Sequence, residues 1–296
     1  MIFLRRVTIL LLCGLVTAPA LAQTCPDPQA LGTSRVLEIN PAGGLKVGLK
    51  SYPQTLALQR GEVVLTFDDG PLPATTGPIL KALRDECVRA TFFLVGRNAQ
   101  TQGPLLRRAL ADGHTLAHHT MTHPHATLRG LPPDRALEEI TAGLQADDKA
   151  AYGQASSTPR VPFFRYPGFA DTPHLNAWAA DHGVAIFGAD LWASDWQEMS
   201  SQQTMDLLLQ RLDILGKGII LLHDTRPQTA KMVPALLRAL KAKGYRVVHM
   251  VPGSQVAPLE TAPAGWRSET EANIAQVNKR QGAQRRSGQP PAPAAH

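Results

Sequence analysis

The chain has 296 residues, 44% hydrophobic and 18% charged, which is too apolar for a disordered chain and long enough to bury a core without staples. Three cysteines exclude a disulfide-dense scaffold. The 30 basic residues outnumber the 24 acids to give a net charge of +6, a mild excess without the clustering that nucleic-acid binding requires.

At the amino terminus Arg5 and Arg6 precede an apolar run from Val7 to Val16, and Ala20-Leu21-Ala22 places small residues where a signal peptidase reads them. Residues 1–22 therefore read as a secretory signal peptide, cut before Gln23. The apolar run is too short to span a bilayer, which takes about 20 residues. No stable membrane anchor is expected after cleavage, and the mature chain is expected in the periplasm or outside the cell. Cleavage removes Cys13 and leaves Cys25 and Cys87. In an oxidising compartment these two can pair, tying the amino-terminal segment to the first helix.

Residues 23–60 are rich in Pro and Gly with little periodicity, and are expected to form an arm over the main domain. From there to residue 250 short apolar runs alternate with helical spacing. The expected strands are Val63–Phe67, Ala90–Val95, Thr115–Ala117, Val161–Phe164, Val184–Gly188, Gly218–Leu222 and Tyr245–Met250. The expected helices are Thr76–Glu86, Gly103–Ala111, Pro133–Tyr152, Pro173–Asp181, Thr204–Leu215 and Thr229–Lys243, the last followed by Gly244 as its cap. About seven strands alternating with helices imply a largely parallel sheet, either an open doubly wound sheet or a barrel. Residues 251–296 turn polar and are expected to be a disordered tail.

Ionisable groups follow five of the expected strands: Asp68 and Asp69, then His118, His119 and His123, then Arg165, then Asp190 and Asp195, then His223 and Asp224. The carboxyl ends of parallel strands share one face, so these groups can converge on one pocket. His119 and His123, four apart, would lie on one side of a helical turn and suit a single metal ion. One of the paired aspartates would add an oxygen ligand, leaving an open position as in catalytic sites. The other is then free as a base towards a water activated by the metal. Nitrogen and carboxylate donors without thiolate suit zinc, with cobalt or another divalent ion also compatible. Taken singly, each motif has a plainer reading, such as a turn at Asp68-Asp69-Gly70-Pro71 or a helix cap at Asp195. Their shared position at successive strand ends favours the site.

At these residues the sequence resembles the polysaccharide deacetylases, the family-4 carbohydrate esterases with a NodB-homology domain. Thr66-Phe67-Asp68-Asp69-Gly70-Pro71, His119-Thr120-Met121-Thr122-His123-Pro124, Arg165-Tyr166-Pro167-Gly168, Asp195-Trp196 and Leu221-Leu222-His223-Asp224 match its five motifs in order, over residues 61–250. The resemblance implies a distorted (β/α) barrel and metal-dependent removal of N-acetyl groups from GlcNAc-containing glycans, such as peptidoglycan or chito-oligosaccharide. It implies Asp68 as base, Asp69, His119 and His123 as metal ligands, and His223 as the acid for the leaving amine. Arg165 would position Asp68, and Asp195 would orient Arg165. The backbone N–H of Gly168 would face the oxyanion, while Trp196 and Leu221 would shape the acetyl pocket.

Three positions depart from the family pattern. Gly168 stands where an aromatic residue is usual, so Phe169 or Tyr166 would have to replace that ring. Trp192 stands where another aspartate is frequent, and Asp190 is out of register. His118 adds a histidine expected behind the site or at the surface. Two other readings share these residues: an ester hydrolase removing O-acetyl groups from a xylan-like polysaccharide, and a non-catalytic cell-wall binding protein. The second would be expected to have lost a ligand or the base, and every motif centre is filled.

Overall fold

The computed structural model describes residues 25–276, apart from Pro26 and Ala126, together with Lys279. The expected signal peptide lies outside the described residues. The strands are β1 (Thr33–Ile39), β2 (Lys46–Val47), β3 (Gln54–Leu56), β4 (Glu62–Asp68), β5 (Thr91–Leu94), β6 (Thr115–His118), β7 (Phe163–Phe164), β8 (Ala185–Phe187), β9 (Leu191–Trp192), β10 (Gly218–His223), β11 (Arg246–Pro252) and β12 (Leu259–Thr261). The α-helices are α1 (Pro73–Asp85), α2 (Gly96–Ala99), α3 (Gly103–Ala111), α4 (Pro133–Tyr152), α5 (Pro173–Asp181), α6 (Ser201–Leu215) and α7 (Pro227–Ala242).

Ten strands form one parallel sheet in the order β1-β11-β4-β5-β6-β7-β8-β2, with β10 on the other side of β4 and β9 beyond β10. The sheet curls into a distorted barrel around β4. No pairing joins β8 to β9; the chain's amino-terminal arm fills that place through β2, where Gly188 N–H donates to Val47 O at 2.6 Å and Lys50 N–H to Ala189 O at 2.9 Å.

Strand parity decides what faces inward. Val64, Phe93, Ala117, Phe163, Phe187 and Ile219 form the inner cluster. Val63, Leu65, Phe67, Phe92 and Leu116 form the outer one, covered by Ile79 and Leu83 of α1, Leu208 and Leu212 of α6, and Val233 and Leu237 of α7. Each of the larger of these buried side chains stabilises the fold by roughly 1.5–3 kcal/mol. Counting by twos along the same strands carries the inner face onwards to Asp68, His119, Arg165 and His223.

All seven expected strands and six expected helices form. Their edges move for local reasons. Pro162 has no N–H to donate, so β7 shrinks to two residues. Helix α1 starts earlier, with proline in its first turn. Helix α6 starts at Ser201 because Ser200 and Gln203 close a capping box.

The ends of the chain differ more from expectation. The arm holds three strands: β1 runs parallel to β11 along its length, and β3 pairs antiparallel with β12. Asp190, out of register for a site role, fastens this arm instead, accepting from Leu49 N, Thr55 Oγ1 and Ile219 N within 2.9 Å. Cys25 and Cys87 are bonded, as export and the remaining two thiols suggested. The segment expected as a tail from residue 251 is ordered through much of its described length. It includes the end of β11, β12 and a helical stretch over 269–276.

Candidate active site

Strand β4 ends at Asp68, which points into the barrel mouth, and Asp69 follows with φ of 78°. This left-handed residue separates the two carboxylates. Gly70 is required next, since a Cβ there would lie 1.9 Å from the Asp224 carboxylate oxygen. Asp224 is buried on the outer face and accepts from Thr76 Oγ1 of α1 at 2.6 Å, so it braces the turn that carries Asp69.

Asp69, His119 and His123 offer ligand atoms that all lie within 4.8 Å of one another. Nε2 of each histidine is 3.5 Å from Asp69 Oδ1. The spacing of four works here without a helix: residues 119–123 form a loop in which Thr120 and His123 have positive φ. His119 Nδ1 lies 2.6 Å from Arg165 O, so that nitrogen carries the proton and Nε2 keeps its lone pair for a ligand. Burial pushes His119 down to about 4 and also lowers His123, keeping both imidazoles neutral, as ligation requires. Burial would raise Asp69, but the positive charge of His223, with the His119 and His123 rings turned towards the carboxylate, outweighs it and holds the carboxyl below its usual range. Asp69 Oδ1 is buried without a hydrogen-bond partner. An orphaned carboxylate oxygen facing two neutral imidazoles fits a divalent cation.

Asp68 lies in a different environment. Arg165 is fully buried and reaches Asp68 Oδ1 at 2.7 Å, Thr66 Oγ1 at 2.8 Å, Phe187 O at 3.0 Å and Gly188 O at 2.8 Å. Burial pushes Asp68 up to about 6, against the pull of Arg165. Breaking such a buried pair by removing one partner costs about 3–5 kcal/mol.

Asp195 does not orient Arg165. Its carboxylate accepts from His223 N–H and Nδ1, both at 2.7 Å, and from Thr229 Oγ1 at 2.6 Å. The guanidinium of Arg165 is held instead by the backbone carbonyls of Phe187 and Gly188 at the end of β8, which the sequence does not reveal. Burial alone would lower His223; Asp195, with Asp69 adding, raises it to about 9. His223 is therefore a cation at neutral pH with Nε2 free to point at the cleft.

The sequence matches the polysaccharide deacetylase family over residues 56–187. The chain is 30% identical over 204 residues to a chitooligosaccharide deacetylase of Bradyrhizobium sp., covering 64% of this chain and 89% of that one. It is 31% identical over 196 residues to a peptidoglycan-N-acetylglucosamine deacetylase of Bacillus cereus, covering 63% and 68%. The chain belongs to the polysaccharide deacetylase family. Among solved structures, a peptidoglycan deacetylase of Bdellovibrio bacteriovorus superposes with a TM-score of 0.65 at 30% identity, over 74% of this chain and 59% of that one. The chain is thus a deacetylase, a hydrolase of a family that works with a divalent metal ion.

The deacetylase cleft has a volume of about 780 Å³ and takes in Asp68, Asp69, His119, His123, Gly168, Trp196, Leu221 and His223. Leu221 faces inward on β10 by the same parity as His223. Gly168 has φ of 58° and Phe169 follows at 55°. That turn swings the Phe169 ring into the cleft, stacked on Trp192 at 6.3 Å, with Trp192 edge-on to Trp196 at 5.9 Å. Phe169 and Trp192 thus supply the aromatic wall that Gly168 lacks, and Tyr166 lines the same cleft. His118 faces the other way, buried against α4 with Nδ1 2.8 Å from Asp147 Oδ2, and takes no part in the ligand cluster.

Sequence reasoning missed one wall. Thr270, Asn273 and Ile274 line the cleft from the segment expected as a tail. Trp266 Nε1 donates to Leu49 O at 2.8 Å, and Thr270 Oγ1 meets Ser51 Oγ at 2.9 Å. Glu269 pairs with Lys50 at 2.5 Å, and Glu271 with Arg129 at 2.5 Å, which also binds Asp171 beside the Gly168 turn. Each anchor is a tertiary polar contact between distant residues, so no local periodicity announces it.

Proposed function

We propose that the mature chain is an exported zinc-type N-deacetylase that releases acetate from GlcNAc residues of peptidoglycan. The observation that carries this reading is the split between adjacent carboxylates: Asp69 is orphaned towards two imidazoles, while Asp68 is locked to Arg165. One is fitted to a cation and the other to a proton.

Asp69, His119 and His123 would hold the divalent ion. When bound, it would polarise the acetyl carbonyl and make the attacking water more acidic. Asp68, raised to about 6, would take the proton from that water near neutral pH. Arg165 would fix the Asp68 carboxylate in one orientation. His223, held by Asp195, would hand its proton to the departing amine, which leaves poorly as an anion. The Gly168 N–H would face the carbonyl oxygen as it gains charge. Trp196 and Leu221 would enclose the acetyl methyl.

The names of the relatives support both peptidoglycan and chito-oligosaccharide. The leader-like residues 1–22 support an envelope glycan, and peptidoglycan is the N-acetylated polymer there. Acetate release measured side by side on peptidoglycan, chitin oligomers and acetylated xylan tests the assignment. The reading expects peptidoglycan to be deacetylated fastest. Acetate from xylan alone would replace it with an O-acetyl esterase.

A further inference from the structure

Two arginines in the cleft are not used by this chemistry. Arg97 lies in α2 just after β5, and Arg226 is the residue before α7, three after His223. Both line the cleft. Strands β5 and β10 both pair with β4. The arginines therefore stand on either side of the strand that delivers Asp68 and Asp69.

Neither guanidinium makes a hydrogen bond or ion pair with any described residue; Arg97 is exposed, whereas Arg226, whose charge also pulls on Asp69, has its Nε buried without a hydrogen-bond partner among them. A buried guanidinium N–H left without an acceptor is costly, so the site leaves room for an acceptor from outside. Among the described residues lining the cleft the acids are Asp68 and Asp69, and both are engaged: one by Arg165, the other with the imidazoles. Asn98, beside Arg97, donates to Asp69 O at 2.8 Å, which places the base of Arg97 against the reacting end. A further wall, next to His223, is aromatic, from Phe169, Trp192 and Trp196. The cleft thus combines an apolar platform of the kind that takes a sugar face with a cationic rim.

We infer that Arg97 and Arg226 form a carboxylate subsite that selects N-acetylated glycans bearing an acidic substituent on the sugar next to the one deacetylated. Guanidinium and carboxylate match in shape and charge, and the pairing would fill the donors left open here. The inference rests on the peptidoglycan reading above. In that polymer alternate sugars carry a lactyl ether extended by a peptide with free carboxylates, whereas chitin is neutral.

The test measures kcat/KM for acetate release from three substrates: a soluble peptidoglycan fragment, the same fragment with its carboxyls converted to amides, and a chitin oligomer. Unaltered enzyme should prefer the free carboxylate form over the amide form by about ten-fold, the scale of one charge-assisted contact. Added salt should shrink that preference. The double variant Arg97→Gln/Arg226→Gln should erase it, and Arg97→Lys/Arg226→Lys should keep most of it. Equal rates on the two peptidoglycan forms with unaltered enzyme would overturn the inference without any variant. So would a glutamine variant that slows the chitin oligomer as much as the charged fragment. Turnover of chitin oligomer with neither peptidoglycan form accepted would instead refute the peptidoglycan reading, and this subsite with it.

Discussion

The cleft is built from two kinds of wall. Strand ends and the residues just past them supply Asp68, His119, Arg165 and Asp195, each at most 2% exposed; Asp68 is in register with β5 and β10, and the N–H groups of His119 and Arg165 continue the ladder to Leu94 O and His118 O. The carboxyl-terminal segment supplies Thr270, Asn273 and Ile274 without joining the large sheet. Two of its anchoring side chains, Glu269 and Glu271, are more than half exposed in their ion pairs. Such pairs contribute about 0–1 kcal/mol each, whereas removing one partner of the buried Asp68–Arg165 pair costs about 3–5 kcal/mol. Proton transfer needs groups fixed to a fraction of an ångström, and here those groups sit where the backbone is least free. Among the described residues, no hydrogen bond or ion pair joins the terminal wall directly to any of them. Damage to the strand-end side should therefore fall on turnover, and damage to the terminal side on substrate affinity.

The largest expected effect is on the strand-end side. Chelating the metal should reduce acetate release to background, and zinc or cobalt should restore it, because no neighbouring group can replace a Lewis acid at the carbonyl. Full activity in metal-free protein would remove the ligand assignment of Asp69, His119 and His123.

A smaller effect is expected from Asp195→Asn. Burial lowers the His223 pKa and Asp195 more than offsets this, so the unaltered imidazole stays protonated up to about 9. A general acid works only while protonated, so the rate should hold through neutral pH and fall as pH rises past that value. Losing the Asp195 charge lowers the pKa, so the alkaline limb should move to lower pH, with kcat down by about 10²-fold. A pH–rate profile checks both, and an unmoved limb would detach Asp195 from proton transfer.

The smallest effect belongs to the terminal wall. Trp266→Ala removes the bond to Leu49 O and should cost about 1 kcal/mol of stability. It should raise KM for a glycan by a few-fold and leave kcat within about two-fold. Steady-state kinetics with a thermal melt separates these; a fall in kcat alone would show that the two walls are coupled.

What was legible in the sequence follows the same division. Val63–Phe67 and Gly218–Leu222 are short apolar runs followed at once by charge, and strand parity then carries Asp68 and His223 inward. His119 and His123 were found by spacing, although the loop that joins them, with its left-handed Thr120 and His123, is not the helical turn expected. The partner of Asp195 was misread because motif order says nothing of which side chains meet: β10 brings His223 to it, while carbonyls of Phe187 and Gly188 hold Arg165. The short strands β2 and β3 of the arm, unlike the seven-residue β1, and the wall at Thr270 were illegible for a further reason. Two- and three-residue strands such as β2 and β12 carry no period, and contacts such as Trp266 to Leu49 exist only once the barrel has brought both ends of the chain together.

The central claim is the division of labour between Asp68 and Asp69, and their asparagine variants test it directly. Metal content and acetate release are measured for both across a zinc titration. Asp68→Asn should keep its metal and lose about 10²–10⁴-fold in rate at every zinc concentration, since no group takes the proton. Asp69→Asn should bind zinc more weakly, because a neutral amide oxygen is a poorer ligand than a carboxylate, and excess zinc should restore part of its rate. Rescue of Asp68→Asn by zinc, with Asp69→Asn metal-replete and inactive, would contradict the account and exchange the two roles.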